Sequence, residues 1–408
     1  MTGKIPTPQR EEVEYLLSPM AIRDRSGELF ALAVDDKLQH WKCDLSHLGR
    51  VADYVIDVMR SEYPDLQVPF HSRWRHFEVG GVSRSTLLLA KLGGMSPVEV
   101  AATKFDLVIL SVLLDAGAGN QWQYHEGETG QVFRRSEGLA VASFHMFCHG
   151  AFSSNPEKPL QADAQGLQSL TTASLAQGFQ VSDRNPLVGL AGRWELLQKL
   201  GQCLVTLPEF FGNENPRPGN LVNYLLTQAE DNQLAASTVL RAVLEGLGNI
   251  WSGRIEIAGV NLGDVWHHSA VGLVPFHKLS QWLTYSFLEP LQELGLQITG
   301  LDSLTGLPEY RNGGLCVDLG LVQPKHPDII HQPHLVSSEV IVEWRALSVI
   351  LLDRIAATIR EKLDMDALEL PLVKILQGGT WTAGRRIAAE LRAGGIPPIQ
   401  IDSDGTVF

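Results

Sequence analysis

The scarce features of this 408-residue chain narrow its possible functions first. There are four cysteines, Cys43, Cys148, Cys203 and Cys316, scattered and without a CxxC pair. That pattern argues against a disulfide framework and suits a reducing interior. Positive charge is in deficit, with a formal net charge of −13 and a pI near 5.5. Broad electrostatic attraction to nucleic acid or to an anionic membrane is therefore not expected, which leaves room only for a local basic pocket for one phosphate. No apolar run reaches the roughly 18–20 residues of a membrane span. The opening MTGKIPTPQREEVEYLL is too polar for a secretory leader. The expectation is a soluble cytoplasmic protein acting on a small molecule, with neither nucleic acid nor membrane as partner. Metal-site patterns are missing too. His145, Cys148 and His149 fall at i, i+3, i+4, but without HExxH or a second Cys/His pair they read better as a buried helix face. Gly379-x-x-x-x-Gly384 has Walker spacing but lacks the Lys and the Ser/Thr, which excludes an NTPase. No cofactor is expected, and no internal repeat or low-complexity linker divides the chain.

Helical material is abundant. Hydrophobic residues make up 44% of the chain, enough for a large core. A short amphipathic helix is expected over 9–20, stopping near Pro19, and a strand or extended piece over 27–36. Helical spacing marks 45–64, the stretch 105–124 opens with a buried helix ending at Asp115, and a second buried helix is predicted at 134–152. Another helix is expected at 235–251, one more after Pro275, and the strongest at 337–363, capped by Ser337 or Ser338. The fold class is mainly α with a few short peripheral strands. Three segments are expected: a helical cap at 1–100, a catalytic core at 101–365, and a glycine-rich loop, helix and tail at 366–408.

Charged residues stand out where apolar neighbours should bury them, and a buried charge is costly unless paired or useful. Residues 262–315 hold Asp264, Lys278, Glu309 and Arg311 among aromatic and aliphatic side chains. Lys278, Gln281 and Tyr285 share one helix face. Asp115 sits at a helix C-terminus, the unfavourable end of the dipole, so it is either paired to a cation or functional. Glu343 lies in an apolar stripe, with Arg311 or Arg345 as its partner. Arg73, Arg75 and Arg84 surround Trp74 and Phe77 and form either a charged loop over the core or a phosphate clamp. Gly384 followed by Arg385 is either a tight packing turn or a phosphate-holding helix start. From the residues alone, one of four carboxylates, Asp115, Asp264, Glu309 or Glu343, carries the chemistry.

Longer motifs go further. LLDAGAGNQWQY, RRSEGLAVASFHMFCHGAFS, GDVWHH, VPFHKLSQWL, LTGLPEYRNGGL, VEWRALSVILLDRI, QGGTWTAGRRIA and the terminal SDGTVF cover nearly the whole chain. Together they resemble the uracil catabolism protein four family of the pyrimidine-degrading URC pathway. A more distant resemblance is to the queuosine-salvage N-ribosylhydrolases, relatives of the helix-hairpin-helix DNA glycosylases. His277-Lys278-Leu279-Ser280-Gln281, then Pro308-Glu309-Tyr310-Arg311-Asn312, then Ile341-Val342-Glu343-Trp344-Arg345-Ala346 match that family's motifs in order and approximate spacing. Asp264 and Asp115 fall where it also carries Asp. One position departs: the family's catalytic Asp is Glu309 here, one methylene longer.

The resemblance implies a glycosylase-like helical body and hydrolysis of an N-ribosyl bond. Such cleavage passes through an oxocarbenium-like state. Glu309 would stabilise that cation, attack it or activate water, with Lys278 as helper. Asp264 or Asp115 would protonate the leaving nitrogen if its pKa is raised. Arg311, Glu343, Arg345, Gln281 and His277 would hold substrate, and Trp122, Trp266 and Tyr310 would stack on a planar urea or base. Arg73, Arg75, Arg84, Gly384 and Arg385 would bind a 5′-phosphate. The resemblance to the pyrimidine-degrading pathway family implies that the substrate is ribosylurea or its phosphate, or a uracil nucleoside or nucleotide. Two other classes stay open: a non-catalytic binding or scaffold protein, and a metal-dependent ring-opening hydrolase using His145, His149, His267 or His268.

Overall fold

The computed structural model describes residues 7–115, 117–251 and 253–402. These residues are mainly helical, and their strands, two to four residues long, pair only in two-stranded sheets. They form two units interleaved along the chain: residues 7–71, 253–281 and 300–402 in the first, 72–251 and 282–299 in the second. Their boundaries are not those of the three consecutive segments expected. No helix among the described residues is long and apolar enough to cross a membrane.

The first unit is built on Glu339–Leu363, the 25-residue helix whose pattern was strongest in the sequence. Most of its residues are buried, Glu343 and Arg345 among them, so its apolar face is wide rather than a stripe. It packs against Pro19–Val34, Leu48–Glu62 and Tyr310–Asp318. The extended piece expected over 27–36 is helix instead. Pro19 starts a helix rather than ending one: Ser18 caps it, accepting from the Ala21 amide at 3.2 Å. A first-turn proline suits a helix because its missing N–H would be unpaired there anyway. Leu29, Phe30 and Ala33 then bury at helical spacing.

The glycine-rich segment is also different from expectation. Leu372–Ile375, a π-turn at Leu376–Thr380 and Trp381–Leu391 run on as helix, so no glycine loop presents free N–H groups there. The glycines are small for packing. A Cβ on Gly379 would stand 2.6 Å from Val55, and one on Gly384 would stand 2.1 Å from the Arg311 carbonyl oxygen. The tail does add a strand, Gln400–Asp402, parallel to Pro333–Leu335. Residues 403–408, including the SDGTVF motif, lie outside the described residues, as do 1–6 at the start.

In the second unit, Pro97–Leu113 and Arg135–Cys148 are the two buried helices expected and pack together. Ser96 caps the first, accepting from the Glu99 amide. Lys278–Glu293 gives its first turn to the first unit and the remainder to the second. Pro290 lies inside its last turn. Proline cannot donate to the carbonyl four residues back. That carbonyl, Ser286 O, instead accepts from the Trp74 indole at 2.8 Å.

Candidate active site

Two helix starts in the first unit carry the residues singled out between 262 and 315. The hairpin Val265–His268 with Gly272–Pro275 leads into the first of them. Asp264 precedes that hairpin, and its main-chain carbonyl accepts from the Phe276 amide at 2.9 Å, which closes the hairpin's base. Its carboxylate accepts from the Lys278 amide at 3.0 Å and from the Trp266 indole at 2.7 Å. Both oxygens also face the Arg345 guanidinium fork, each at 2.7 Å. The Arg345 side chain is 1% exposed and that of Asp264 13%. Burial alone would raise the Asp264 pKa; the Arg345 charge and hydrogen bonds, with those of Lys278 and Trp266, hold it well below the usual carboxylate range. Asp264 is thus ionised and nearly saturated, so a proton-donor role does not fit it.

Arg345 links the two helix starts. Its Nε donates to the Pro308 carbonyl at 3.3 Å, and its guanidinium lies over the Phe276 ring at 4.1 Å. Glu309 follows as the N-cap of Tyr310–Asp318. Oε2 accepts from the Arg311 amide at 2.8 Å and Oε1 from the Asn312 amide at 2.6 Å. Short Ser, Thr, Asp and Asn usually cap helices; the longer Glu does so here with both oxygens. Burial pushes its carboxyl above the ordinary range, against the pull of the two amides and of the Lys278 and Arg311 charges. Each oxygen keeps lone-pair capacity for a further donor.

His277 joins the first helix start in a left-handed backbone conformation, φ 48°, a strained state for a non-glycine residue. Its Nε2–H donates to the Leu16 carbonyl at 2.8 Å, and its Nδ1 is buried without a hydrogen-bond partner. Burial lowers its pKa, which favours the neutral ring. Gln281 is a brace rather than a contact: its amide donates to the Phe276 carbonyl and Thr305 Oγ1, and its Oε1 accepts from the Thr305 amide. Tyr310 and Trp266 are half-buried, with the Arg311 and Arg254 guanidiniums over their rings at 5.1 Å each. Arg311 also donates to the Gly395 carbonyl at 2.9 Å.

Glu343 pairs with neither arginine offered for it. It accepts from the Gln39 and His40 amides at 3.3 and 3.1 Å and meets His268 Nε2 at 3.4 Å. Those partners make it a brace for the segment entering Trp41–Cys43.

The other candidate residues, Gly384 and Arg385 excepted, fall in the second unit, where Arg73, Arg75 and Arg84 have protein partners. Asp115 takes the cation-paired alternative: Arg73 meets it at 3.0 Å and Ser136 donates to it at 2.7 Å. Arg73 is buried and also bonds Ser111. Arg75 Nη2 donates to both Glu289 oxygens at 2.8 Å. Arg84 forks onto Glu126 at 2.8 and 2.6 Å, and His145 meets that same carboxylate at 2.7 Å. Each of the three arginines is therefore paired with a carboxylate and ties the loop to the core. Trp122 is buried, donates to the Phe179 carbonyl at 2.9 Å and cannot stack on a ligand. Gly384 is helix packing, while Arg385 is exposed and its guanidinium lies over the Trp381 ring at 5.5 Å. Among the described residues, His, Cys, Asp and Glu do not gather in groups of three that an ion would need.

Thr380 has no signal in the sequence, and Asn312 only the Pro308–Asn312 motif around it. Thr380 donates to Asn312 Oδ1 at 2.8 Å, directly behind the Glu309 cap. A buried Thr in GGTWTAG carries no periodic signal that would mark it.

The family model described as protein of unknown function (DUF1688) matches residues 15–408. Protein urg3 of Schizosaccharomyces pombe is 40% identical over 409 residues, covering 98% of this chain and 99% of that protein. Uracil catabolism protein 4 of Lachancea kluyveri is 39% identical over 437 residues, covering 97% of this chain and 99% of that protein. With a match of this length and identity, the chain belongs to the DUF1688 family, the family of uracil catabolism protein 4.

Proposed function

We propose that this protein acts in uracil catabolism, as the name of its Lachancea relative suggests, and that its reaction is hydrolysis of an N-ribosyl bond. The substrate class is ribosylurea or its 5′-phosphate, or a uracil nucleoside or nucleotide. The observation that carries this reading is the buried Glu309 carboxyl at a helix start, shifted upward beside Lys278. A carboxyl moved toward neutrality is suited to proton transfer, and a neighbour pushed the opposite way, Asp264, is the pattern of two acids with separate tasks.

In this reading Glu309 takes a proton from water as the water oxygen bonds to C1′. The C1′–N bond breaks, its electron pair goes to the leaving nitrogen, and that nitrogen takes a proton from a solvent water, whose hydroxide the Glu309 proton then neutralises, returning Glu309 to its carboxylate. The positive helix end and Lys278 oppose charge loss at Glu309. Asp264 stays ionised and fixes Arg345 and the first turn of the Lys278 helix. Tyr310 and Trp266, half-buried, offer flat faces to a urea or pyrimidine.

The test is incubation of purified protein with ribosylurea phosphate, UMP and uridine, assaying urea, uracil and ribose products. Cleavage of one substrate, lost in a folded Glu309→Gln variant, is the expected result. A folded protein that cleaves none overturns the hydrolase reading. Ligand binding without turnover, unchanged by Glu309→Gln, moves the protein to the binding class.

A further inference from the structure

Behind the Glu309 cap lies a buried polar chain that no step above uses. Thr380 Oγ1 donates to Asn312 Oδ1 at 2.8 Å. Asn312 Nδ2 donates to the Leu307 carbonyl at 3.0 Å. The Asn312 amide donates to Glu309 Oε1 at 2.6 Å. Asn312 and Thr380 are fully buried. The two side-chain bonds agree on one orientation of the amide, oxygen toward Thr380 and nitrogen toward Leu307, so the side chain is held from both ends.

Thr380 owes its place to the π-turn. It is the last residue of Leu376–Thr380, one wide turn between two α-helical pieces. Such turns mark functional sites more often than ordinary helix does. Its glycines let the wide turn sit tightly: Gly378 meets Val68 and Tyr63, and Gly379 meets Val55 and Met59. One turn later Gly384 lets the helix approach the Arg311 carbonyl. The segment thus grips the first turn of Tyr310–Asp318 at Arg311 and at Asn312, the two residues whose amides hold the Glu309 carboxylate.

We infer that Thr380 and Asn312 are positioning residues for Glu309, and that the π-turn exists to place the Thr380 hydroxyl on the Asn312 amide. This rests on Glu309 being the working carboxyl. Losing the hydroxyl frees the Asn312 side chain, and its amide drifts from Glu309 Oε1. Weakening a hydrogen bond to the charged form raises an acid's pKa, so the Glu309 titration moves upward.

The experiment compares wild type, Thr380→Val and Thr380→Ser, with Glu309→Gln identifying the band. The infrared band of the protonated Glu309 carboxyl is followed against pH without substrate. Thr380→Val is expected to move the titration up by about half a unit to one unit, and Thr380→Ser to restore it. With a cleavable substrate, the acid limb of kcat moves alongside, and kcat falls about ten- to a hundredfold with KM little changed. A folded Thr380→Val whose Glu309 titration matches wild type overturns the proposal. Should Thr380→Val not fold, Thr380→Cys, of similar size and with a weaker donor, carries the same comparison with a smaller shift. Because the infrared titration needs no turnover, failure of the hydrolase reading shows separately, as absence of cleavage by wild type.

Discussion

Asp264 and Glu309 are two acids at two helix starts of one unit, and their surroundings drive them in opposite directions. Each accepts main-chain N–H groups from the first turn of a helix. Each is largely removed from water, which raises a carboxyl in both cases. The difference is the guanidinium. Arg345 puts both arms on Asp264, whereas the Arg311 guanidinium turns to the Gly395 carbonyl and acts on Glu309 only as a lesser charge. A helix end and its amides are therefore not enough to settle a buried carboxylate; a bidentate cation is. The first acid becomes framework, and the second keeps a titration that chemistry can use.

Removing each acid separates these roles most sharply. Glu309→Gln should lower kcat of the proposed hydrolysis by about 10²- to 10⁴-fold, the usual span for a lost acid–base group, with the far-UV spectrum unchanged. Asp264→Asn strands the buried Arg345 charge. It should cost about 3 kcal/mol in urea unfolding, with activity falling in step with folded fraction. If Asp264→Asn instead leaves stability intact and abolishes turnover, the assignment of framework and working acid is reversed.

The helices of this comparison were legible; the partnerships were not. Apolar spacing marked Glu339–Leu363 and the helix after Pro275, because a buried helix writes its period into the sequence. The cluster 262–315 was visible as charge among apolar residues. Which cation meets which acid was not: Asp264 and Arg345 are 81 positions apart, and Arg311 and Arg345 look equally able to reach Glu343, which takes His268 and two amides instead. Pro19 was misread as a stop because a proline one residue past a serine serves equally as a start. The glycines at 378, 379 and 384 imitated a phosphate loop because their cause lies in side chains near 55–68 and in the Arg311 carbonyl, and no local pattern records that.

The pH dependence of stability tests the same contrast without substrate. The Glu309 pKa is raised on folding. Between its ordinary value of 4.5 and its folded value, the folded chain keeps a proton that the unfolded chain has released. Stability must fall as pH rises through that window. Asp264 has the opposite sign: its contribution is present above its ordinary value of 3.8 and is lost as pH falls toward its depressed folded value. Urea unfolding over a pH series, with Glu309→Gln and Asp264→Asn as references, should show the two differences sloping in opposite directions. Slopes of one sign would remove the distinction.

The smallest expected effect is the finest test of Asp264 as framework. Trp266→Phe removes one of the donors holding that carboxylate and keeps the ring's bulk, while Arg345 and the Lys278 amide remain. Losing one net hydrogen bond on a group otherwise well satisfied should cost about 1 kcal/mol in urea unfolding, with the Asp264 part of the pH profile moving slightly toward the ordinary value. If Trp266 only orients Asp264, kcat and KM stay near wild type once the folded fraction is accounted for. If its half-buried face also stacks on the planar part of the substrate, phenylalanine keeps most of that surface and KM rises modestly. Trp266→Ala would then raise KM much further at nearly constant kcat, a split that orientation of Asp264 alone does not produce.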